Sequence, residues 1–106
     1  MKLSMKQIEH MSDFELDRLL NMIDDFDDTT LTYVAEVIGR REDNPKVIDV
    51  LIKLTKHKSA LVREGAVYGL SYHPDNGNVV TALKEMLKVE TSQGVKEAIE
   101  EVLDEV

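Results

Sequence analysis

The sequence has no cysteine, no tryptophan and no long apolar run. Without cysteine, the chain can form neither a disulfide, nor a thiolate nucleophile, nor a cysteine-based zinc site. Its longest apolar stretches span only a few residues, so no segment is predicted to cross a membrane. The first residues also lack the apolar centre of a signal peptide, and we expect a cytoplasmic protein.

Positive charge is also scarce, with 13 lysines and arginines against 21 aspartates and glutamates and a formal net charge of −8. Such a chain lacks the basic field of non-specific nucleic-acid binders, so no direct nucleic-acid binding is expected. An apolar content of 42% and a charged content of 32% are typical of a globular chain. A length of 106 residues predicts a single domain.

Helical periodicity dominates the sequence, and no segment shows the sustained alternation of a strand. Capping residues and apolar stripes predict six substantial helices after a short one near the N-terminus. The first covers residues 13–25 and the second residues 29–41, with a break near Phe26. The helix that begins at Pro45 is apolar on most sides, which predicts a central position with Leu51 between the helix layers.

The second half of the chain contains an internal repeat. A shift of 33 residues superposes Val62 on Val95 and Leu70 on Leu103, and a shift of 31 residues gives a weaker match further upstream. About three stacked units are needed to bury a continuous core. The domain 1–106 is therefore predicted to contain a cap helix (1–11), a divergent repeat (12–43) and two further repeats (44–76 and 77–106).

The stretch Ser-Ala-Leu-Val-Arg-Glu-Gly-Ala-Val-Tyr-Gly-Leu, residues 59–70, resembles the second helix of a HEAT repeat. The family's pattern of Val-Arg, then Ala, then Leu is matched by Val62, Arg63, Ala66 and Leu70. The resemblance implies an all-α fold, a short right-handed α-solenoid of about three HEAT-like helix-turn-helix repeats with helices packed antiparallel in pairs. It also implies a tendency to bind other macromolecules, although fold alone does not define function.

The chain departs from the family at the acidic position before this pattern. HEAT repeats usually carry an aspartate three or five residues before the valine. Here those positions hold Ser59 and His57 in one copy, and Ser92 and Glu90 in the next. The Asp–Arg ladder that often links such repeats is therefore left open by the sequence.

In HEAT-like stacks the second helices line the concave face, and a rotation of 100° per residue predicts which side chains face away from the core. Tyrosine and valine beside charge are typical of a protein interface with aromatic anchors. Alternatively, Tyr33 and Tyr68 lean over neighbouring repeats with their hydroxyls in water. We call the predicted partner-binding set the concave strip: Tyr33, Glu36, Val37, Arg40, Glu64, Val67, Tyr68, Ser71, Glu97, Glu100, Glu101 and Asp104.

Charge is uneven along the chain. Residues 40–63 carry a positive excess, whereas acids crowd the turn at 24–28 and the last helix at 97–105. The acidic groups favour a basic protein partner and would steer its approach, although solubilising charge alone is an alternative. The basic middle segment could instead hold a phosphate or an acidic peptide.

Chemistry-bearing motifs are lacking. His10, His57 and His73 have no partner at metal-ligand spacing except in the single Glu9–His10 pair, and the chain has neither a glycine-rich phosphate loop nor a nucleophile elbow. We therefore predict no catalytic, metal-binding or cofactor-binding residues, no cofactor, and no enzyme activity.

Gly65 and Gly69, four residues apart in one helix, are predicted to let a neighbouring helix approach closely, with a functional groove as the alternative.

The sequence therefore favours a non-enzymatic protein-binding module. Its size and acidity suggest a small inhibitor of a single basic partner, of the immunity-protein or antitoxin type. The alternative is a structural or adaptor subunit of a larger assembly, in which residues 1–11 could dock rather than cap. We expect a monomer or a weak homo-oligomer, and the sequence leaves open whether the concave strip or the acidic turn at 24–28 is the interface.

Overall fold

The structure, a computed structural model, describes residues 5–41 and 44–104. These residues form helices and connecting turns and contain no strand, which confirms the all-α solenoid fold. The predicted ends of the cap helix and of the last repeat, including Glu105, lie outside the described residues. The helices are α1 (Met5–Glu9), α2 (Asp13–Asn21), α3 (Asp28–Ile38), α4 (Pro45–Leu54), α5 (Ala60–Leu70), α6 (Gly77–Val89) and α7 (Gln93–Asp104), with a 3-10 turn (Ile23–Asp25) after α2.

Side-chain caps set the helix starts. The Ser12 hydroxyl accepts a hydrogen bond from the Glu15 N–H, and the Asp27 carboxylate accepts one from the Thr30 N–H at 2.7 Å. The side chain of Asn76 caps α6 in the same way. Each cap satisfies a backbone donor that a helix leaves unpaired at its first turn.

The first substantial helix is shorter than the sequence predicts. It ends at Asn21 rather than residue 25. The Met22 N–H donates a hydrogen bond to the carbonyl of Leu19, three residues back, and the chain continues as a 3-10 turn. That turn holds Asp24 and Asp25. Negative charge is unfavourable at the C-terminal end of an α-helix, which explains the early end.

The helices lie in two layers. The first helices of each pair, α2, α4 and α6, form one layer, and the second helices, α3, α5 and α7, form the other. The helix α5 packs against both α3 and α7, while α1 packs against α3 at the N-terminal end of the stack. Within the described residues, no helix combines the length and the apolar composition that crossing a bilayer requires.

One apolar core runs through the stack from Ile8 to Val102. Leu51 is fully buried on α4, as the sequence predicts. Its side chain lies next to Gly69 of α5. The central position of α4 follows from its apolar flanks, because a helix that is apolar on most sides needs neighbours on more than one side.

Glycines bring α3 and α5 into backbone contact. A Cβ atom at Gly65 would lie 2.6 Å from the carbonyl oxygen of Thr32, and one at Gly69 would strike the carbonyl oxygen of Ala35. A Cβ atom at Gly39 would in turn strike the backbone of Gly69. The predicted packing role of Gly65 and Gly69 is thereby confirmed.

Candidate functional site

Tyr68 is the central aromatic side chain on the outer face of the second-helix layer, with 38% of its surface exposed. Partial burial raises the pKa of its phenol, and so do the negative charges of Glu64, Glu101 and Glu36. These acids come from three different helices, α5, α7 and α3. Stacking of the repeats thus assembles a set that we call the acidic–aromatic cluster: Glu36, Glu64, Tyr68 and Glu101.

Two members of the predicted concave strip do not reach the surface. Val37 and Val67 are 1% and 0% exposed, so the prediction that they line an interface is wrong. The reason is that α3 and α5 each have neighbours on both flanks and against the other layer. A helix in that position buries a wider arc than the single stripe assumed from its sequence.

The acidic end of the strip lies on α7. Glu97, Glu100, Glu101 and Asp104 are all exposed there, and the Gln93 amide donates a hydrogen bond to Glu97. Their carboxylates face solvent along one helix, beyond the buried side that contacts α5 and α6. The strip therefore presents dense negative charge at its C-terminal end.

The opposite end of the strip is largely neutralised. The Arg40 guanidinium lies 3.2 Å from the Glu9 carboxylate and 5.3 Å from the centre of the Tyr72 ring. Tyr33 is exposed on α3, the helix that precedes Arg40. Ser71 is half-buried, and its hydroxyl donates a hydrogen bond to the Tyr68 carbonyl. Arg40 is thus held by an acid and by an aromatic ring within the chain.

The sequence did not predict the part played by Tyr72. This residue lies in the turn after α5, and Arg40 lies in the corresponding turn after α3. The two positions are 32 residues apart, close to the repeat length. Comparing equivalent turns of neighbouring repeats was the signal that could have found the contact.

A buried ion pair links the N-terminal ends of α5 and α7. Arg63 donates from Nε and Nη2 to the two carboxylate oxygens of Glu90, both at 2.9 Å, and from Nη1 to the carbonyls of His57 and Lys58. The side chain of Glu90 is 2% exposed. The link between repeats that the sequence left open is thus made by a glutamate.

Glu90 also holds the start of α7. One of its carboxylate oxygens accepts hydrogen bonds from the N–H groups of Thr91 and Ser92 at 3.1 and 3.0 Å. The hydrogen bonds from Arg63 lower the pKa of Glu90, against the opposing effect of burial, and those two backbone donors lower it further. Its position five residues before Val95, where the family usually carries an acid, was the available sequence signal.

The histidines are engaged by the backbone or lie apart. His57 Nδ1 accepts a hydrogen bond from the Ser59 N–H, and His73 Nε2 lies 2.7 Å from the Gly39 carbonyl oxygen. His10 is exposed. Across residues 5–41 and 44–104, no three histidine, aspartate or glutamate side chains come together as a potential metal site.

Comparison with known proteins identifies the family of the chain. A family model of HEAT repeats matches residues 16–104, which extend from α2 to the end of α7. No curated protein and no solved structure was found to match the chain. HEAT repeats generally mediate protein–protein interaction, and the paired, layered helices described above are what that match predicts. The chain therefore belongs to the HEAT-repeat family.

Proposed function

We propose that this chain is a non-enzymatic protein-binding module that uses the acidic–aromatic cluster to cover a basic surface of a single protein partner. The observation that carries the proposal is the placement of Tyr68, an exposed ring beside three carboxylates contributed by three helices. An aromatic side chain can anchor an interface, while surrounding charge of one sign selects and steers an oppositely charged partner.

The finer form of the proposal is a small inhibitor of the immunity-protein or antitoxin type. The described fold measures 35 × 27 × 19 Å, so its broad face is large enough to supply roughly 800 Å² to a standard interface. Inhibition would come from occupying the target's surface, without chemistry on the partner. The net charge of −8 favours a basic target, such as a nuclease-type toxin or a DNA-binding protein whose phosphate-binding groups the carboxylates would engage.

A structural or adaptor subunit is the second candidate. Apolar side chains are exposed away from the cluster, with Phe14 at 71% and Val89 at 78%. Side chains of this kind would be covered if the chain docked into a larger assembly through apolar contacts. Such contacts resist high salt, whereas exposed charge pairs weaken in it, so salt dependence separates the two candidates.

The test compares three forms of the chain in affinity capture from a native lysate, read by mass spectrometry at low and high salt. One variant carries Glu36→Gln, Glu64→Gln and Glu101→Gln, which neutralise the cluster. The matched control carries Asp24→Asn, Asp25→Asn and Asp28→Asn, which change the net charge equally at the acidic turn but spare the capping Asp27. Circular dichroism confirms that each variant remains folded.

We expect one basic partner, captured in near-stoichiometric amount at low salt by the wild type and by the control. The cluster variant should lose it by at least about tenfold, because neutralised carboxylates no longer pair with the partner's cations. Loss in the control alone would move the interface to the acidic turn. Salt-resistant capture of several proteins by all three forms would contradict the inhibitor and support the adaptor.

A further inference from the structure

One arginine of this chain shows how the second-helix layer holds a guanidinium group. Arg40 follows α3, and its Nη1 atom lies 3.2 Å from the carboxylate of Glu9, at the end of α1. Its guanidinium lies 5.3 Å from the centre of the Tyr72 ring, which follows α5. A ring and a carboxylate from two other elements thus hold one arginine side chain.

The acidic–aromatic cluster contains the same two kinds of group about one helical turn away. Tyr68 precedes Tyr72 by four residues, and both rings are 38% exposed. Glu36 precedes Arg40 by the same number, so the cluster has a carboxylate where the neighbouring site has its arginine. The cluster therefore resembles the Arg40 site in its ring and acids, but none of its members is basic.

The carboxylates of the cluster are not neutralised. Glu36 and Glu64 are half-buried and Glu101 is exposed. Across residues 5–41 and 44–104, none of the three makes an ion pair. The Glu64 carboxylate lies against the first turn of α7, where a Cβ atom added at Gly94 would come within 3.3 Å of Oε2. Because partial burial removes water from a carboxylate, a cation that reaches these groups would be bound favourably.

We infer that the acidic–aromatic cluster binds an arginine side chain of the protein partner, with the guanidinium against the Tyr68 ring and its N–H groups donating to the surrounding carboxylates. This inference rests on the proposed function, because it names the side chain by which a basic partner is recognised. Arginine fits better than lysine. Its planar group stacks on a ring while donating several N–H groups in fixed directions, whereas the lysine ammonium is compact and strongly hydrated.

The test uses the full chain labelled with ¹⁵N and three short synthetic peptides of equal length and otherwise uncharged sequence. Their central residue is arginine, lysine or citrulline. Lysine keeps the positive charge without the planar donor group, and citrulline keeps the planar shape without the charge. Titration at low salt, followed by amide chemical shifts, locates each binding site by residue and gives its affinity.

We expect the arginine peptide to shift the amides of Glu64, Tyr68 and Glu101 and to leave those of Asp24 and Asp25, in the acidic turn, unmoved. It should bind at least about threefold more tightly than the lysine peptide, and the citrulline peptide should not bind detectably. Equal affinities for the arginine and lysine peptides, or the absence of shifts at the cluster, would overturn the inference.

Failure of the inference and failure of the proposed function give different results. If the peptides show no preference for arginine but the variant with Glu36, Glu64 and Glu101 changed to glutamine still loses its captured partner, the inference is overturned and the proposed function is supported. If the arginine peptide shifts the cluster but that variant captures the partner undiminished, the arginine site is supported and the proposed function is contradicted.

Two substitutions of Tyr68 test the ring itself. Tyr68→Leu removes the aromatic face and should weaken binding of the arginine peptide by at least about threefold, whereas Tyr68→Phe keeps that face and should stay within about twofold of the wild type. The matched control is Tyr33→Leu, at a tyrosine of α3 that is 39% exposed outside the cluster. Urea unfolding verifies that each variant is folded. Equal weakening by Tyr68→Leu and Tyr68→Phe, or by Tyr68→Leu and Tyr33→Leu, would overturn the inference.

Discussion

The two contacts that α5 makes within its layer are built differently. Towards α3, the glycines at positions 39, 65 and 69 bring backbone against backbone. Towards α7, a long side chain reaches across the gap, and Arg63 pairs with Glu90. We call these the glycine contact and the ion-pair contact.

The two contacts differ in the kind of substitution that each can tolerate. In the glycine contact, shape alone fixes the distance between helices, so any side chain added there must displace backbone. In the ion-pair contact, a pair of charges bears the specificity, and its strength depends on protonation and on both partners being present. We therefore expect the glycine contact to be destabilised by any added side-chain atom, and the ion-pair contact to be destabilised by loss of either charge.

The largest effect is expected from Gly39→Ala. A Cβ atom there meets three backbone atoms of Gly69, which cannot rotate away as a side chain could. We expect the free energy of unfolding to fall by about 3 kcal/mol, at the upper end of overpacking effects. Urea unfolding followed by circular dichroism measures it.

The control for that substitution is Gly77→Ala. A Cβ atom at Gly77 has no neighbour within 4 Å, so the change should stay within about 0.5 kcal/mol of the wild type. Equal denaturation midpoints for Gly39→Ala and Gly77→Ala would show that α3 and α5 can move apart, and the glycine contact would not be fixed by shape.

The next effect is expected at the ion-pair contact, from Arg63→Met. Methionine keeps much of the buried stem but leaves the Glu90 carboxylate, 2% exposed, with only backbone donors. We expect a loss of about 2 kcal/mol in the free energy of unfolding. The measurement is the same urea unfolding at neutral pH.

A double-mutant cycle shows whether this loss comes from the pair. Adding Glu90→Gln to Arg63→Met removes the unpaired charge but keeps an oxygen that can accept from Thr91 and Ser92. The double variant should therefore be less destabilised than the sum of the single variants. Strict additivity would mean that Arg63 stabilises the chain through its bonds to the His57 and Lys58 carbonyls instead.

The sequence predicted the glycine contact better than the ion-pair contact. The spacing of Gly65 and Gly69 within one helix indicated close approach, since helix glycines need a packing reason. The partner of Arg63 lies 27 residues away, and the sequence signal for Glu90 was its position five residues before Val95, where the family usually carries an acid. Pairings of that kind depend on how the repeats stack, which no local pattern encodes.

The same limit explains the errors and omissions in the candidate site. The rotation of side chains around a helix identified Tyr68 and its neighbouring acids as outward-facing. It failed for Val37 and Val67, because burial there depends on helices that are distant in sequence. The contact of Tyr72 with Arg40 was not predicted for a similar reason, because it joins the turn after α5 to the turn after α3.

The smallest effect is a pH dependence that only the ion-pair contact should show. The pKa of Glu90 in the folded chain is lowered, chiefly by Arg63, from an ordinary value of 4.5. A lowered folded pKa means that the stabilisation is fully present above the unfolded pKa and is lost as the pH falls through the folded one. The gap in unfolding free energy between the wild type and Glu90→Gln should therefore shrink below about pH 4.5.

The glycine contact has no titratable group at Gly39, so the gap between the wild type and Gly39→Ala should stay constant over the same range. Asp27, whose pKa is lowered by the Thr30 backbone N–H, titrates in all three forms and cancels from both gaps. If both gaps shrank together on acidification, the pH dependence would belong to the whole fold rather than to the ion pair between α5 and α7.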